Sequence, residues 1–210
     1  TVTEVAPGMS AIAGGKLTTY RVMAKDAVDF ALGKRAKALP SITESIPLVG
    51  AEGFKATLAA RDRLARHTGW DEERITHELE RYGSEVEDLI AMIDAEPELG
   101  VPLAAAPQFL RADVAYAVRV EGALHLEDVL IRRVRLDLEQ RDRGLAAAKE
   151  ILQVMAPELG WSEEKVAAEY ENYRHRVEAI AAAEQETTES GAAALINAVQ
   201  PIAARRPLGK

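Results

Sequence analysis

Residues 13–21 read AGGKLTTYR, and the hydrophobic pattern of the chain changes at this segment. Before it, residues 9–13 form a short apolar run that indicates a strand, and a Pro-Gly pair at 7–8 indicates a turn. After it, apolar side chains recur at intervals of three and four as far as Gly33, namely Leu17, Tyr20, Met23, Ala24, Ala27, Val28 and Ala31. The pattern predicts a strand, a glycine turn and a helix that begins at about Leu17.

The turn at Gly14 and Gly15 favours an anionic, electron-rich ligand. Two glycines let the backbone approach a ligand with no Cβ in the way. The free N–H groups and the positive dipole end of the following helix point back at that ligand. Lys16 adds a full positive charge, and Thr18 or Thr19 can cap the helix or donate a hydrogen bond. The same residues also suit a tight strand–helix corner that binds nothing.

The strand that ends at residue 13 needs partner strands, and we expect none in the helical sequence that follows. Its partners are therefore expected on sequence outside this chain. The chain starts at Thr1 rather than at a methionine, and its first residues lack the basic region and apolar run of a signal peptide. These features predict that the chain is a fragment of a larger protein.

A linker at 40–53, PSITESIPLVGAEG, separates this segment from an almost continuous helical region. The sequence predicts a boundary there, with one domain segment over 1–45 and a helical domain over 46–210. The expected fold class is mainly α: a multi-helical domain preceded by a strand, a turn and a helix. The tail from Arg205 is expected to be frayed.

Within the helical region, Gly83 is predicted as a left-handed cap, and Ser84 to Glu87 has the S-x-x-E form of a capping box. The capping box predicts a helix containing Val86, Leu89, Ile90 and Ile93, and residues 97–107 predict a break. Other helices are predicted at 54–67, 74–82, 110–122, 126–140, 142–157, 163–185 and 191–199.

One internal similarity joins the segment GWDEERI at 69–75 with the segment GWSEEKV at 160–166. Both predict a helix that ends at glycine, a tryptophan that packs at the corner, and an Asp or Ser that caps the next helix. The likeness continues through Glu78, Glu80 and Tyr82 against Glu169, Glu171 and Tyr173. Either a duplicated helical hairpin or convergence of two helix corners would produce it.

The composition excludes several classes of protein. The 210-residue chain has a formal charge of −8 and therefore repels nucleic-acid phosphates. It has no cysteine, which fits a cytoplasmic protein without disulfides. No apolar run approaches the length that spans a bilayer, so we expect peripheral membrane association at most.

Most candidate sites fail on spacing. The four histidines, His67, His77, His125 and His175, do not form a metal-binding pair, and no metal site is predicted. The Gly15-Lys16 pair does not fit a phosphate-binding loop, because Ser10 and Leu17 stand where glycine and Ser or Thr are required. Arginines 119, 132, 133 and 135 could form an anion site, but a structural network with Glu121, Glu127, Asp128 and Asp137 is favoured.

Taken as a whole string, residues 8–29 resemble the end of the flavin domain of FAD-dependent glycerol-3-phosphate dehydrogenases, with AGGKLTTYR as a near-verbatim form of that family's last flavin-contacting turn. The helical region resembles the same family's C-terminal domain. The matching segments are PLVGA at 47–51, YAVRVE at 116–121, LEDVL at 126–130 followed by Arg132-Arg133, and ELGWS at 158–162.

The resemblance implies an enzyme that oxidises sn-glycerol 3-phosphate to dihydroxyacetone phosphate, with FAD as cofactor and quinone as electron acceptor. It implies cofactor contacts from Gly14, Gly15, Lys16, Leu17, Thr18 and Thr19, and a substrate contact from Lys16. Residues 1–45 would then be the end of the FAD-binding domain. No catalytic residue is assigned within this chain.

Much of such an enzyme is missing, since no G-x-G-x-x-G fingerprint occurs in the chain. The resemblance therefore implies that the chain alone neither retains FAD nor turns over substrate, and that its partners are the missing flavin and substrate domains. The resemblance also implies that the protein lies in the cytoplasm or on the inner face of the cell membrane. The helical domain could brace the flavin domain, form a homodimer contact or meet the membrane or an electron acceptor.

Two alternatives stay open. The chain could be an independent helical interaction or oligomerisation module without catalysis. It could also belong to a flavoenzyme that acts on a related hydroxy or amino compound, although the string from Lys16 to Arg21 argues against this.

Overall fold

The computed structural model describes residues 1–200 and 202, and helices dominate it. Over this part of the chain there are ten α-helices and two small two-stranded sheets, which confirms the mainly α class. The residues form two compact units, Thr1–Glu52 and the residues from Gly53 onward, here called the N-terminal unit and the helical unit. The division into domains at 45/46 stays a prediction, and the tail from Arg205 lies outside the described residues.

The N-terminal unit opens with an antiparallel hairpin of β1 (Val2–Ala6) and β2 (Met9–Ile12), in which Val2 pairs with Ile12. The turn at 7–8 is where the sequence predicted it. The expectation that the strand lacks a partner within the chain was wrong, because β1 precedes β2 and pairs with it across that turn. Two strands alone have little stability in water, and this hairpin packs against the helix at Tyr20–Leu32.

Helix α1 (Tyr20–Leu32) begins three residues later than predicted. A 3₁₀ turn at Leu17–Thr19 precedes it, because the Lys16 carbonyl accepts a hydrogen bond from the Thr19 N–H three residues on, at 2.9 Å. Thr19 donates its hydroxyl to the same carbonyl and does not cap the helix with its side chain. Gly33, at φ +56°, ends α1 as expected.

The helical unit contains nine α-helices and one short hairpin over its described residues. In chain order they are α2 (Phe54–Ala59), α3 (Arg61–Thr68), α4 (Glu72–Tyr82), α5 (Val86–Ala95), β3 (Pro102–Leu103), β4 (Ala106–Leu110), α6 (Arg111–Arg119), α7 (Leu136–Glu139), α8 (Leu145–Leu159), α9 (Glu163–Ala183) and α10 (Glu189–Asn197).

Three local expectations for this unit were wrong. No capping box forms at residue 84, because α5 follows directly on a 3₁₀ turn and its N-cap, Glu85, makes no side-chain bond. Gly83 has positive φ but a ψ of −127°, so it is not a left-handed cap. The helix predicted at 126–140 is interrupted, because a π-helical turn at Asp128–Arg133 is followed by Arg135 in the left-handed region, at φ +58°.

Helix α6 lies between the two hydrophobic cores of the unit, and residues 112–117 are all buried. Val114 and Ala117 pack into one core, with α8 and the Tyr173 ring of α9. Ala115 and Tyr116 pack into the other core, with α4 and α5. Burial of both faces explains why the middle of α6, residues 114–118, is apolar throughout.

The two similar corners have the predicted geometry. Gly69 and Gly160 both end helices in the left-handed conformation, at φ +73° and +62°. Asp71 accepts a hydrogen bond from the N–H of Arg74 at 2.8 Å, and the Ser162 hydroxyl accepts one from Lys165 at 3.3 Å. The matching carboxylates and tyrosines farther along, Glu78 with Glu169 and Tyr82 with Tyr173, are all buried. Both duplication and convergence remain open.

Candidate functional site

The turn between the hairpin and α1 is built on two adjacent glycines with left-handed backbone. Gly14 has φ +93° and Gly15 has φ +88°, values that side chains with a Cβ rarely adopt. The two glycines have different surroundings. A Cβ on Gly14 would meet open space, whereas a Cβ on Gly15 would overlap Sδ of Met23. One side of the turn is therefore open to a ligand, and the other is filled by α1.

Backbone donors are free at this turn, and the acceptor at its centre is occupied. Within the described residues, the N–H groups of Gly14, Gly15 and Lys16 donate no hydrogen bond. The Lys16 carbonyl accepts from both N–H and Oγ1 of Thr19, at 2.9 and 2.7 Å. The Lys16 ammonium forms no ion pair with the described side chains. The turn thus presents N–H groups and a full positive charge, an arrangement that suits electron-rich acceptor atoms.

All six residues predicted as cofactor contacts, Gly14 to Thr19, are exposed and contiguous. Leu17 is 90% exposed, which is unusual for a leucine next to a helix. Along α1, the exposed apolar side chains include Tyr20, Val22, Val28 and Phe30, and Gly50 is the one buried residue of the N-terminal unit. Exposed apolar side chains with no core beneath them are typical of a surface that contacts another part of a protein.

These features fit the edge of a flavin ring system. Such an edge carries carbonyl and imine acceptors, which suit the free N–H groups, and a flat ring can approach the side of Gly14 that lacks a Cβ. Lys16 stands next to those amides and can offset negative charge on the ring. The dinucleotide end of a flavin cofactor has no corresponding fingerprint in the chain.

Sequence reasoning did not find a cluster of buried charges in the helical unit. Glu78 of α4 and Asp113 of α6 are both fully buried. Asp113 accepts hydrogen bonds from the Tyr82 hydroxyl at 2.5 Å and from the Leu110 N–H at 2.6 Å. Glu78 accepts from Arg74 at 3.3 Å, and its Oε2 has no partner within the described part of the chain. The one sequence signal was the alignment of Glu78 with the similarly buried Glu169.

The pH dependence of stability should reveal Glu78. Burial, followed by the nearby Asp113 carboxylate, raises the pKa of Glu78 from 4.5 to about 8, against the opposing charges of Arg74 and Arg81. The pKa of Glu78 is higher in the folded protein than in the unfolded protein. Protonated Glu78 therefore contributes to stability below pH 4.5, and this contribution is lost as pH rises towards about 8. The free energy of unfolding of Glu78→Gln minus that of wild type should therefore increase by about 1 kcal/mol or more when the pH is raised from about 5 to about 8.5.

Urea denaturation at the two pH values measures this difference. The control is Glu80→Gln, which removes an exposed carboxylate from the same helix. An equal response of the two variants would show that Glu78 is not held in its neutral form.

The arginine-rich stretch 119–135 forms mainly structural ion pairs, as favoured from the sequence. Three of its arginines are engaged: Arg119 with Glu96 and Glu158, Arg132 with Glu127 and Asp128, and Arg133 with Glu121. The partners of Arg119 are not those predicted, and Asp137 pairs with Arg143 instead. Arg135 forms no ion pair among the described residues. These contacts favour a structural role for the arginines of this stretch rather than an anion-binding site.

A cavity of about 580 Å³ lies beside the first turns of α4 and is lined by Trp70, Arg74, His77 and Gln108, among others. Arg74 donates to the backbone carbonyls of Pro107 and Gln108, so its guanidinium is already committed to the hairpin of β3 and β4. The described residues contain no group of three or more His, Asp or Glu side chains placed to hold a metal ion. None of the described helices combines the length and the apolar character needed to cross a bilayer.

This chain is similar to known proteins over most of its length. Residues 41–166 match the family described as the C-terminal domain of alpha-glycerophosphate oxidase. Glycerol-3-phosphate dehydrogenase 2 of Mycobacterium tuberculosis is 46% identical over 175 residues, which are 83% of this chain and 30% of that protein. The glycerol-3-phosphate dehydrogenase of Mycobacterium leprae is also 46% identical, over 82% of this chain and 30% of its own length.

The relationship extends beyond mycobacteria. The glycerol-3-phosphate dehydrogenase of Synechocystis sp. is 33% identical over 79% of this chain and 30% of its own length. The chain thus spans just under a third of the length of these curated relatives. No solved structure matches it.

Proposed function

The chain belongs to the family of the C-terminal domain of alpha-glycerophosphate oxidase, and from this premise we propose that it is the C-terminal part of an FAD-dependent glycerol-3-phosphate dehydrogenase. The parent enzyme would oxidise sn-glycerol 3-phosphate to dihydroxyacetone phosphate and pass the electrons to quinone. The observation that supports this most directly is the turn at Gly14 to Lys16, whose N–H groups and ammonium have no partner among the described residues.

In this proposal the turn forms one wall of the flavin site. FAD, when bound, supplies the hydride acceptor for the oxidation at C2 of the substrate. The amides of Gly14, Gly15 and Lys16 would hold the acceptor atoms at the ring edge, with Leu17 and Thr18 completing the wall. Lys16 and the N-terminus of α1 would stabilise negative charge at that edge. The Lys16 ammonium would also attract the phosphate of the substrate.

The exposed apolar side chains of α1 support a further part of the proposal. A unit with a single hairpin, one helix and no core cannot bury enough surface to be stable by itself. We propose that the flavin and substrate domains of the parent enzyme cover this face. The chain alone would then neither retain FAD nor turn over substrate, since it also lacks a dinucleotide fingerprint.

We further propose that the parent enzyme is bacterial and cytoplasmic, in keeping with the mycobacterial relatives and the absence of cysteine. It would associate with the inner face of the membrane only peripherally. Homodimer formation through the helical unit is one role open to it. Nucleic-acid binding is not proposed, because the chain carries a net charge of −8.

A second candidate is an independent helical interaction module, and one observation favours it. Both hydrophobic cores lie within the helical unit, so that unit has what it needs to fold separately. This alternative assigns no role to the free amides at Gly14 and Gly15, and the parent protein would then oxidise no glycerol phosphate.

Removal of the Lys16 charge tests the proposed site. In the full-length enzyme, Lys16→Met should raise the KM for sn-glycerol 3-phosphate or lower kcat by about tenfold or more, because a charge-assisted contact contributes about 1.5–3 kcal/mol. The matched control is Lys34→Met, which removes an exposed lysine of the same unit that also lacks an ion pair among the described residues. Equal kinetics for the two variants would contradict the role of Lys16.

A further inference from the structure

The carbonyl of Lys16 is held in place by one residue, Thr19, of the 3₁₀ turn that precedes α1. Thr19 donates its N–H to this carbonyl at 2.9 Å and its hydroxyl at 2.7 Å. A carbonyl oxygen has two lone pairs, and both are used here. The carbonyl is therefore held towards the helix and offers nothing to a ligand on the open side of the turn.

The orientation of this carbonyl determines the orientation of the next amide. A trans peptide places C=O and N–H on opposite sides of the same plane, and the chain contains no cis peptide bond among its described residues. With the Lys16 carbonyl directed at Thr19, the N–H of Leu17 points in the opposite direction. The Leu17 N–H is therefore directed away from Thr19.

Met23 supports the same geometry from beneath Gly15. The position that a Cβ on Gly15 would take lies 3.2 Å from Oγ1 of Thr19 and overlaps Sδ of Met23. Thr19 and Met23 are four residues apart and so lie on one face of the helix entry. Their side chains fill the inner side of the turn and leave the side at Gly14 open.

We propose that Thr19, supported by Met23, is a positioning residue that directs the Leu17 amide at the edge of the flavin. This inference rests on the proposed function. Loss of the hydroxyl would release one of the two bonds to the Lys16 carbonyl, and the peptide plane between Lys16 and Leu17 could then rotate. The cofactor would lose a fixed donor where negative charge accumulates on reduction.

The test uses the full-length enzyme with Thr19→Val, which keeps the shape of the side chain and removes the hydroxyl. We expect weaker FAD binding, by about fivefold to tenfold, because one hydrogen bond contributes about 1 kcal/mol. We also expect a lower flavin reduction potential, since the reduced, negatively charged form loses a donor. Thr19→Ser should restore both quantities to within about twofold of wild type.

The matched control is Thr3→Val, because Thr3 is an exposed threonine of the same unit that lies in β1, outside the turn. Where Thr19→Val yields no folded protein by circular dichroism, Met23→Ala takes its place and should lower the potential in the same direction. An unchanged potential and unchanged FAD affinity in a protein that binds FAD would overturn the positioning role alone. A wild-type enzyme without FAD would instead overturn the proposed function.

Discussion

Gly15→Ala in the full-length enzyme is expected to reduce the bound flavin to about a tenth of the wild-type amount or less. Gly15 has φ +88°, and an alanine in the left-handed region costs about 1–2 kcal/mol. Its methyl group would also overlap Met23, so either the turn or the first part of α1 must move. Each 1.4 kcal/mol lost from the bound state corresponds to about a tenfold loss of affinity.

Gly8→Ala provides the control for this prediction. Gly8 lies in the turn of the hairpin at φ +76°, and a Cβ there would meet no atom within 4 Å. It thus has similar backbone strain without the overlap. The ratio of absorbance at about 450 nm to protein absorbance measures the flavin retained. If Gly8→Ala lost as much flavin as Gly15→Ala, general weakening of the N-terminal unit would explain both, and the specific role of the turn would be lost.

Asp113→Ala is expected to have the largest effect on stability, a loss of about 3–5 kcal/mol in the free energy of unfolding. The carboxylate is fully buried and accepts from the Tyr82 hydroxyl and from the Leu110 N–H. Arg81 lies 3.6 Å away with its guanidinium largely buried. Alanine would leave the Tyr82 phenol and the Leu110 amide without their partner and would remove the carboxylate beside Arg81, inside the core that α4, α5 and α6 share.

Urea denaturation of the chain, followed by the fluorescence of Trp70 and Trp161, measures this loss, because both tryptophans lie in the helical unit. Asp94→Ala is the matched control. Asp94 is 57% exposed and contacts His67 at 2.9 Å, so its removal should cost about 1 kcal/mol or less. A loss for Asp113→Ala no greater than that of the control would mean that the buried network contributes little.

Sequence reasoning succeeded where the signal is local. The ends of α1 and α8 at Gly33 and Gly160 follow from the conformational freedom of glycine. The caps at Asp71 and Ser162 follow from short side-chain acceptors placed before acidic first turns. In each case, the residues that determine the geometry lie within four positions of one another.

Expectations failed where distant residues or competing bonds decide the structure. Asp113 and Tyr82 are 31 positions apart, so the charged core between α4 and α6 has no local signature. Thr19 appeared suited to cap α1, but its hydroxyl bonds back to Lys16 and so delays the start of the helix. The positive φ of Arg135 could not be expected from a residue type that seldom adopts it.

For the candidate site, the sequence predicted which residues form the turn but not how they are arranged. Gly14 and Gly15 were expected to allow close approach of a ligand, and the structure adds that they differ, since only Gly15 is backed by Met23. The direction of the Lys16 carbonyl depends on one torsion angle and on a threonine three residues away. That the turn binds a cofactor stays a prediction.

We infer that this chain supplies one wall of a flavin site that the parent enzyme completes. Absorbance at about 450 nm, recorded on the purified full-length protein and on this 210-residue chain, tests it most directly. We predict about one flavin per full-length protein and none retained by the chain. Stoichiometric flavin on the chain alone, or a full-length protein without flavin, would contradict the account.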